Sequence, residues 1–157
     1  MTMMAKIQEL ENLLHDKIPM AKLMGTRILS IDGLRLNLAL PLSINRNHKQ
    51  TLFGGSLYSG SALACYGMFL WGLREAGITS EDIVIAEGNI KYAHPVDVDA
   101  EIIAEWPDIE TRTAFFQTLQ KKGKARIEMR ANIITEKSIC ATFTGQFVAK
   151  IPQTRTL

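Results

Sequence analysis

The chain has 157 residues, of which 46% are hydrophobic and 22% are charged, with a formal net charge of +2. The length is that of one domain and the composition is ordinary for a folded globular protein. A net charge this small gives no strong electrostatic reason to expect binding to nucleic acid or to an anionic membrane. No apolar run is long enough to span a bilayer, and the first residues lack the features of a signal peptide, so we expect a cytoplasmic protein.

The first part of the chain predicts a helix followed by a hairpin. Apolar residues recur at helical spacing over residues 5–15, and Pro19 then marks a break. An Asp-Gly pair at 32–33 stands between two apolar runs, which is a strong signal for a two-residue turn. The pattern therefore predicts a hairpin of strands 27–31 and 34–40.

A long buried helix is predicted in the middle of the chain. A polar loop over residues 43–51 leads into Phe-Gly-Gly-Ser at 53–56, and the segment from there to Ala76 contains no proline. It carries no charge before Arg74, and a helix that is apolar nearly all round is a buried one. We expect this helix over about 55–76, closed by Gly77, with its internal glycines marking close backbone approach.

The rest of the chain is predicted to form β-strands joined by short turns, one of which is at 135–137. The predicted strands are 83–94, 99–105, 113–120, 124–134 and 139–150. Successive strands with short turns pair antiparallel, and one sheet curved around one central helix is the economical packing. The predicted class is α+β, as one domain over 1–157.

The loop and the start of the central helix resemble those of the hotdog thioesterases. The common motif there is an asparagine, a glycine three residues later, and His-Gly-Gly opening the helix. Asn47 fits the asparagine and Gly54-Gly55 fits the glycine pair, whereas Phe53 stands at the histidine position and Gln50 at the loop glycine position. With Ile-Val-Ile-Ala-Glu at 83–87, the chain is similar to the YiiD C-terminal-domain family of proposed thioesterases over about 14–148.

This resemblance implies a hotdog fold, in which a curved antiparallel sheet wraps around one long central helix. It implies a homodimer whose sheets join edge to edge, with two sites between protomers, and it leaves open whether dimers pair into tetramers. It also implies a CoA thioester as the substrate, with no cofactor and no metal. The wide spacing of Cys65, Cys140 and the three histidines likewise gives no metal signature.

Thioester hydrolysis needs an oxyanion stabiliser, a positioned water and a base. We expect the N–H of Gly55, helped by that of Ser56, to bind the thioester oxygen, because a helix N-terminus has unpaired N–H groups. Gly54 beside them lets a carbonyl approach the backbone. The alternative is that the glycines only make the turn and Ser56 only caps the helix. Phe53, where the helix begins, is a candidate for lining an acyl tunnel.

Two loop residues are further candidates for the site. The Asn47 amide could hold the attacking water or the acyl carbonyl, and the alternative is that Asn45 and Asn47 are turn residues. His48 could act as a base near neutral pH, although a lone loop histidine is more often solvated.

The base has no candidate on the central helix. The common family places a carboxylate where this chain has Ala62, and Tyr66 one turn later carries a hydroxyl that is a poor base. Glu87 is the best substitute, because a carboxylate in an otherwise apolar strand is costly unless it is paired or functional. Its alternative role is an ion pair with Lys91 or a basic residue of the next strand. Alternation places the even-numbered residues 84–92 against the helix and points Glu87 away from it, unless a bulge changes the facing.

The leading hypothesis is a thioesterase acting on an acyl-CoA or acyl-carrier thioester. The missing helix carboxylate also allows a non-catalytic acyl-CoA binder. A hotdog hydratase or dehydratase is a third reading, although such enzymes normally use a histidine with an acid on the helix. A purely structural interaction module is the fourth.

Overall fold

The computed structural model describes residues 1–80, 82–136 and 138–152, and it combines helices with one sheet. The helices are α1 (Met3–Lys17), α2 (Pro19–Leu23), α3 (Leu42–Asn45), α4 (Gly54–Glu75) and α5 (Ile109–Lys122). The strands are β1 (Arg27–Ile31), β2 (Arg35–Leu40), β3 (Asp82–Tyr92), β4 (Ala100–Glu105), β5 (Lys124–Ile134) and β6 (Ile139–Lys150). The predicted turn at 135–137 includes Lys137, which lies outside the described residues.

Most of the predicted elements are confirmed with small shifts at their ends. The helix α1 extends beyond the predicted 5–15 at both ends. Pro19 does more than break the chain, since it opens α2, where proline fits because the first helical N–H needs no partner. Part of the predicted loop over 43–51 also forms the short helix α3.

The six strands form one antiparallel sheet in the order β1-β2-β4-β5-β6-β3. The sheet is curved, and α4 contacts β2 through β6. The alternation predicted for β5 is confirmed, because every second residue of that strand is buried. The sheet around a central helix therefore follows from strands that each bury one face, as the sequence indicates.

The helix α4 is buried through most of its length, and its glycines let neighbouring side chains approach its backbone. A Cβ on Gly60 would lie 2.6 Å from the Cδ1 atom of Ile102, and one on Gly72 would lie 2.5 Å from the Cζ atom of Phe116. Larger residues at these positions would force those neighbours to move. Among the described residues, no helix combines the length and the apolarity that crossing a membrane requires.

The strand predicted over 113–120 is wrong, because this segment forms the helix α5. The Asp108 side chain accepts the Thr111 N–H at 2.6 Å, which caps the start of the helix, and Gly123 ends it at φ 75°. The aromatic and β-branched residues of this segment favour a strand locally. Burial of Phe115, Phe116 and Leu119 at helical spacing, together with the two caps, outweighs that preference.

Removal of the Asp108 cap is expected to destabilise the protein in a pH-dependent way. The Thr111 backbone N–H, the main cause, lowers the pKa of the Asp108 carboxyl. A lowered pKa in the folded state contributes stability above the unfolded pKa of about 3.9, and that contribution is lost as the pH falls through the folded pKa. Asp108→Ala should therefore lower the Tm at neutral pH, and its deficit against wild type should shrink in acid.

Thermal denaturation at neutral pH and at about pH 2 checks this expectation. Asp108→Asn is the control, because asparagine caps a helix about as well as aspartate but does not titrate. It should stay near the wild-type Tm at neutral pH. A deficit of Asp108→Ala that is the same at both pH values would contradict the assignment.

The strand β3 contains a β-bulge, which changes the predicted facing of its residues. Ala86 is the extra residue between two paired positions. The prediction of one alternating face is wrong for the first half, since Ile83 is buried and Val84 is 55% exposed. After the bulge, Ile90 packs against the core, and Glu87 points away from α4 as expected.

Candidate functional site

The segment between α3 and α4 is held by backbone hydrogen bonds on both sides. The Leu52 N–H donates to the Val96 carbonyl at 2.8 Å, which ties the segment to the connection between β3 and β4. The Phe53 N–H donates to the Asn45 carbonyl at 2.8 Å. These bonds set where α4 begins relative to the end of β3.

Asn45 has a structural role that the sequence did not distinguish from that of an ordinary turn residue. It is 4% exposed, and its amide donates to the carbonyls of Met24 at 2.9 Å and of Pro41 at 2.8 Å. The two acceptors belong to segments that are distant from each other in sequence. Only the tertiary structure therefore identifies Asn45 as the residue that anchors the loop.

The Asn47 side chain organises its own loop. Its Oδ1 atom accepts the N–H groups of Lys49 at 2.9 Å and Thr51 at 3.1 Å, and its amide donates to the Thr51 hydroxyl at 2.8 Å. This arrangement is an Asx-type turn, which asparagine favours. The geometry thus agrees with the turn-residue alternative, and a direct role of Asn47 toward water or the acyl carbonyl stays a prediction.

Gln50 and His48, in the same loop as Asn47, differ in conformation and environment. Gln50 has φ 60°, in the left-handed region that glycine adopts most easily. This explains why the common motif has a glycine at the position of Gln50. His48 is exposed, which matches its solvated alternative.

The first turn of α4 presents two backbone N–H groups that no described protein atom accepts. The N–H groups of Ser56 and Leu57 both donate to the Phe53 carbonyl, at 2.9 and 3.1 Å. The N–H groups of Gly54 and Gly55, which come before them in the chain, have no acceptor among the described residues. Because the Ser56 N–H already has an acceptor, the geometry does not favour its help in binding an oxyanion, which stays a prediction. Ser56 is not the helix N-cap, because the N-cap is Phe53.

Phe53 covers the glycine pair from one side. Its Cε1 atom lies 2.6 Å from the place that a Cβ on Gly55 would take, so the ring lies against the backbone of Gly55. Phe53 is nevertheless 57% exposed. An exposed apolar ring beside the free N–H groups is suited to contact an acyl chain.

Tyr92 covers the pair from the other side. Its hydroxyl donates to the Gly54 carbonyl at 2.8 Å. Burial, together with the nearby Tyr58 hydroxyl, raises the pKa of Tyr92, so it remains a donor at neutral pH. Gly88 makes room for Tyr58 beside Tyr92, because a Cβ on Gly88 would overlap the Tyr58 hydroxyl. The sequence did not identify Tyr58 and Tyr92 as site residues. Their contacts arise only because β3 lies beside α4.

Two predicted site residues lie away from the glycine pair. The Glu87 side chain is 76% exposed on the face of the sheet opposite α4, with an oxygen 3.7 Å from the Arg126 guanidinium. Glu87 is thus near a basic residue, but not one that the sequence suggested (Lys91 or a residue of the next strand), because Arg126 lies on β5 and β6 separates β5 from β3. Tyr66 is partly buried on α4, eleven residues beyond Gly55, which is about 16 Å along the helix axis. Ala62 is also partly buried, and residues 56–74 contain no carboxylate.

The glycine pair opens into a pocket of about 380 Å³. It lies between the first turn of α4 and the segment that follows β3, and its lining is mostly apolar: Leu52, Gly54, Gly55, Leu57, Tyr92, Ala93, His94, Pro95 and Val96. An adjoining pocket of about 510 Å³ shares His94, Pro95 and Val96 with it. Free N–H donors beside an apolar hollow can bind the carbonyl of an acyl group and part of its chain.

His94 is the other residue that sequence reasoning missed. It follows Tyr92 closely in the chain and precedes Pro95, and neither position signals a site. The structure brings His94 to the same pocket as Gly54 and Gly55. Among the described residues, no group of three or more His, Cys, Asp or Glu side chains could hold a metal ion.

Comparisons with known proteins agree with this architecture. The model of the family described as "Putative thioesterase (yiiD_Cterm)" matches residues 7–151. A solved protein of unknown function from Chlorobaculum tepidum is 36% identical, with a TM-score of 0.87 and coverage of 96% of this chain and 98% of that chain. A "putative thioesterase" from Shewanella oneidensis is 27% identical, with a TM-score of 0.82 and coverage of 92% and 97%.

A thioesterase from Haemophilus influenzae is 15% identical, with a TM-score of 0.66 and coverage of 94% of each chain, and it shows likeness of fold alone. The curved sheet around α4 is thus the hotdog fold. Because the family model spans nearly all of the chain, this protein belongs to the yiiD_Cterm family of proposed thioesterases.

Proposed function

We propose that this protein hydrolyses an acyl-CoA or acyl-carrier thioester at the start of α4, in the cytoplasm. The observation that carries the proposal is the pair of N–H groups on Gly54 and Gly55, which lack a described protein acceptor and belong to two residues that line an apolar pocket. A helix N-terminus favours negative charge. These groups would therefore bind the oxygen of the thioester more tightly as it becomes an oxyanion.

The exposed ring of Phe53 would contact the acyl chain where it meets the glycine pair. The Tyr92 hydroxyl, by holding the Gly54 carbonyl, would keep the peptide between the two glycines in place. Rigid donors contribute more to catalysis than mobile ones, because they need no reorganisation as charge develops.

The proposed assembly is a homodimer joined along β3. This strand ends the sheet and pairs only with β6 among the described residues. Its exposed residues include Val84 at 55% and Ile85 at 39%. An uncovered strand of eleven residues is a ready surface for pairing with a second copy. Because the start of α4 lies beside the end of β3, each site would then lie close to the partner protomer.

A non-catalytic acyl-CoA binder is the second candidate. The observation that favours it is the absence of a carboxylate on α4 between Ser56 and Arg74, with Glu87 on the opposite face of the sheet. Such a protein would use the same N–H groups and pocket to hold a thioester without turning it over.

A thiol-release assay with acyl-CoAs from short to long chain tests the proposal. We expect the wild type to release CoA from at least one of them. Asn47→Ala should lower kcat/KM by about 10- to 100-fold, since it removes three hydrogen bonds that shape the loop before α4, and a displacement of about 1 Å can cost roughly 100-fold.

Asn37→Ala is the matched control, because the Asn37 amide bonds Glu101 between β2 and β4, away from the pocket. It should leave kcat/KM close to wild type. No turnover on any chain length, together with thermal stabilisation by the same acyl-CoAs, would replace the hydrolase by the binder.

A further inference from the structure

We propose that His94 is the general base that activates water at the glycine pair. This inference rests on the proposed function, because it supplies the base that α4 lacks. His94 lines the same pocket as Gly54 and Gly55. A thioester carbonyl bound to those N–H groups would therefore lie in a hollow that His94 also borders.

The backbone on both sides of His94 is held in place. The N–H groups of Ala93 and His94 both donate to the Cys140 carbonyl, at 2.8 and 3.0 Å. Pro95 follows with its restricted φ, and the Val96 carbonyl accepts the Leu52 N–H just before α4. His94 is thus an exposed residue on a segment that hydrogen bonds tie to the start of α4.

His94 is the one pocket-lining side chain with a lone pair suited to accept a proton at neutral pH. The other titratable group of the lining is Tyr92, whose hydroxyl is bonded to the Gly54 carbonyl and whose pKa is raised by burial. The carboxylates of Asp97, Asp99 and Glu136 line the adjoining pocket.

The reaction balances with His94 as the only proton carrier. The neutral imidazole takes a proton from water as the water oxygen bonds to the thioester carbon, and the carbonyl oxygen becomes an oxyanion at the glycine N–H groups. The oxyanion then collapses, the carbon–sulfur bond breaks, and the imidazolium gives its proton to the leaving sulfur. The products are a carboxylic acid and a thiol, and His94 is neutral again.

The test is steady-state hydrolysis of the acyl-CoA that the wild type turns over fastest, measured across pH for wild type and His94→Gln. We expect kcat to fall by about 100-fold or more in the variant, the usual contribution of a general base. The Kd of the matching non-hydrolysable thioether should stay within about twofold, since the glycine donors are untouched. The fall in wild-type rate as imidazole is protonated in acid should vanish in the variant.

His15→Gln is the matched control, because His15 bonds the Thr26 carbonyl outside the pocket and glutamine can keep that bond. It should retain the wild-type rate and pH profile. Glu87→Gln, assayed beside it, addresses the rival base.

Three results would overturn the role of His94. One is a kcat and pH profile for His94→Gln that match the wild type, which leaves the hydrolase intact. Another is a loss of rate with Glu87→Gln but not with His94→Gln. The third is a wild type that hydrolyses neither an acyl-CoA nor an acyl-carrier thioester, which removes the proposed function and the base with it.

Discussion

Replacing Phe69 by alanine is expected to lower the free energy of unfolding by about 3–5 kcal/mol, the usual loss for a fully buried aromatic side chain. Phe69 is 0% exposed. Its ring centroid lies 5.0 Å from that of Trp106, 5.6 Å from that of Phe115 and 5.1 Å from that of Phe147. It therefore joins α4 to α5, to β6 and to the segment after β4, and alanine would leave a cavity at this junction.

The matched control is Phe53→Ala, which removes the same side chain from a position that is 57% exposed. Its effect on stability should stay within about 0.5 kcal/mol, as for most surface substitutions. Urea denaturation at one fixed protein concentration measures both, because association would otherwise shift the apparent stability. If the free energy of unfolding fell by a similar amount in both variants, the burial of Phe69 would not be the reason for its effect.

Gly88→Ala is expected to destabilise the protein by about 1–3 kcal/mol through overpacking. The new Cβ would overlap the Tyr58 hydroxyl, whose ring packs edge-on against Phe143 with 5.2 Å between centroids. Tyr58 would have to leave this contact or push β3 outward. Because Tyr92 lies on the same strand and holds the Gly54 carbonyl, the displacement should also lower activity at the start of α4.

A double-mutant cycle with Tyr58→Phe isolates the clash. Without the hydroxyl, the ring carbon Cζ of residue 58 is the nearest atom to the added Cβ, at 2.8 Å, so less movement is needed. Gly88→Ala should therefore be less destabilising in the Tyr58→Phe background, with a coupling of at least about 0.5 kcal/mol. Losses that simply add would mean that the hydroxyl is not what excludes a side chain at Gly88.

The pattern of the chain was enough to predict the central helix and most of the sheet. Both depend on short-range signals: an uncharged, proline-free apolar segment for α4, and alternating burial for β5. The glycine pair that opens α4 is likewise visible in the sequence, as is the resemblance in the loop before it. Each of these features lies within a short stretch of the sequence, so it can be recognised without knowing what that stretch packs against.

Contacts between distant segments decided the rest. Residues 109–122 have a local preference for strand, and the packing of Phe115 on the distant Phe69 helps to make them a helix, in addition to the local cap at Asp108. The bulge at Ala86 likewise depends on the register between β3 and β6, which no local pattern specifies.

The candidate site divides in the same way. The sequence by itself identified Gly54 and Gly55, because a glycine pair before an apolar helix is a local motif. It favoured Asn47 and Glu87 for the chemistry and assigned no catalytic role to Asn45 or His94. The structure instead places the Asn47 amide in its own turn, Asn45 in a buried anchor and Glu87 on the far face. His94 reaches the pocket because β3 ends beside the start of α4, and that proximity arises from chain pairing over long separations rather than from any neighbouring residue.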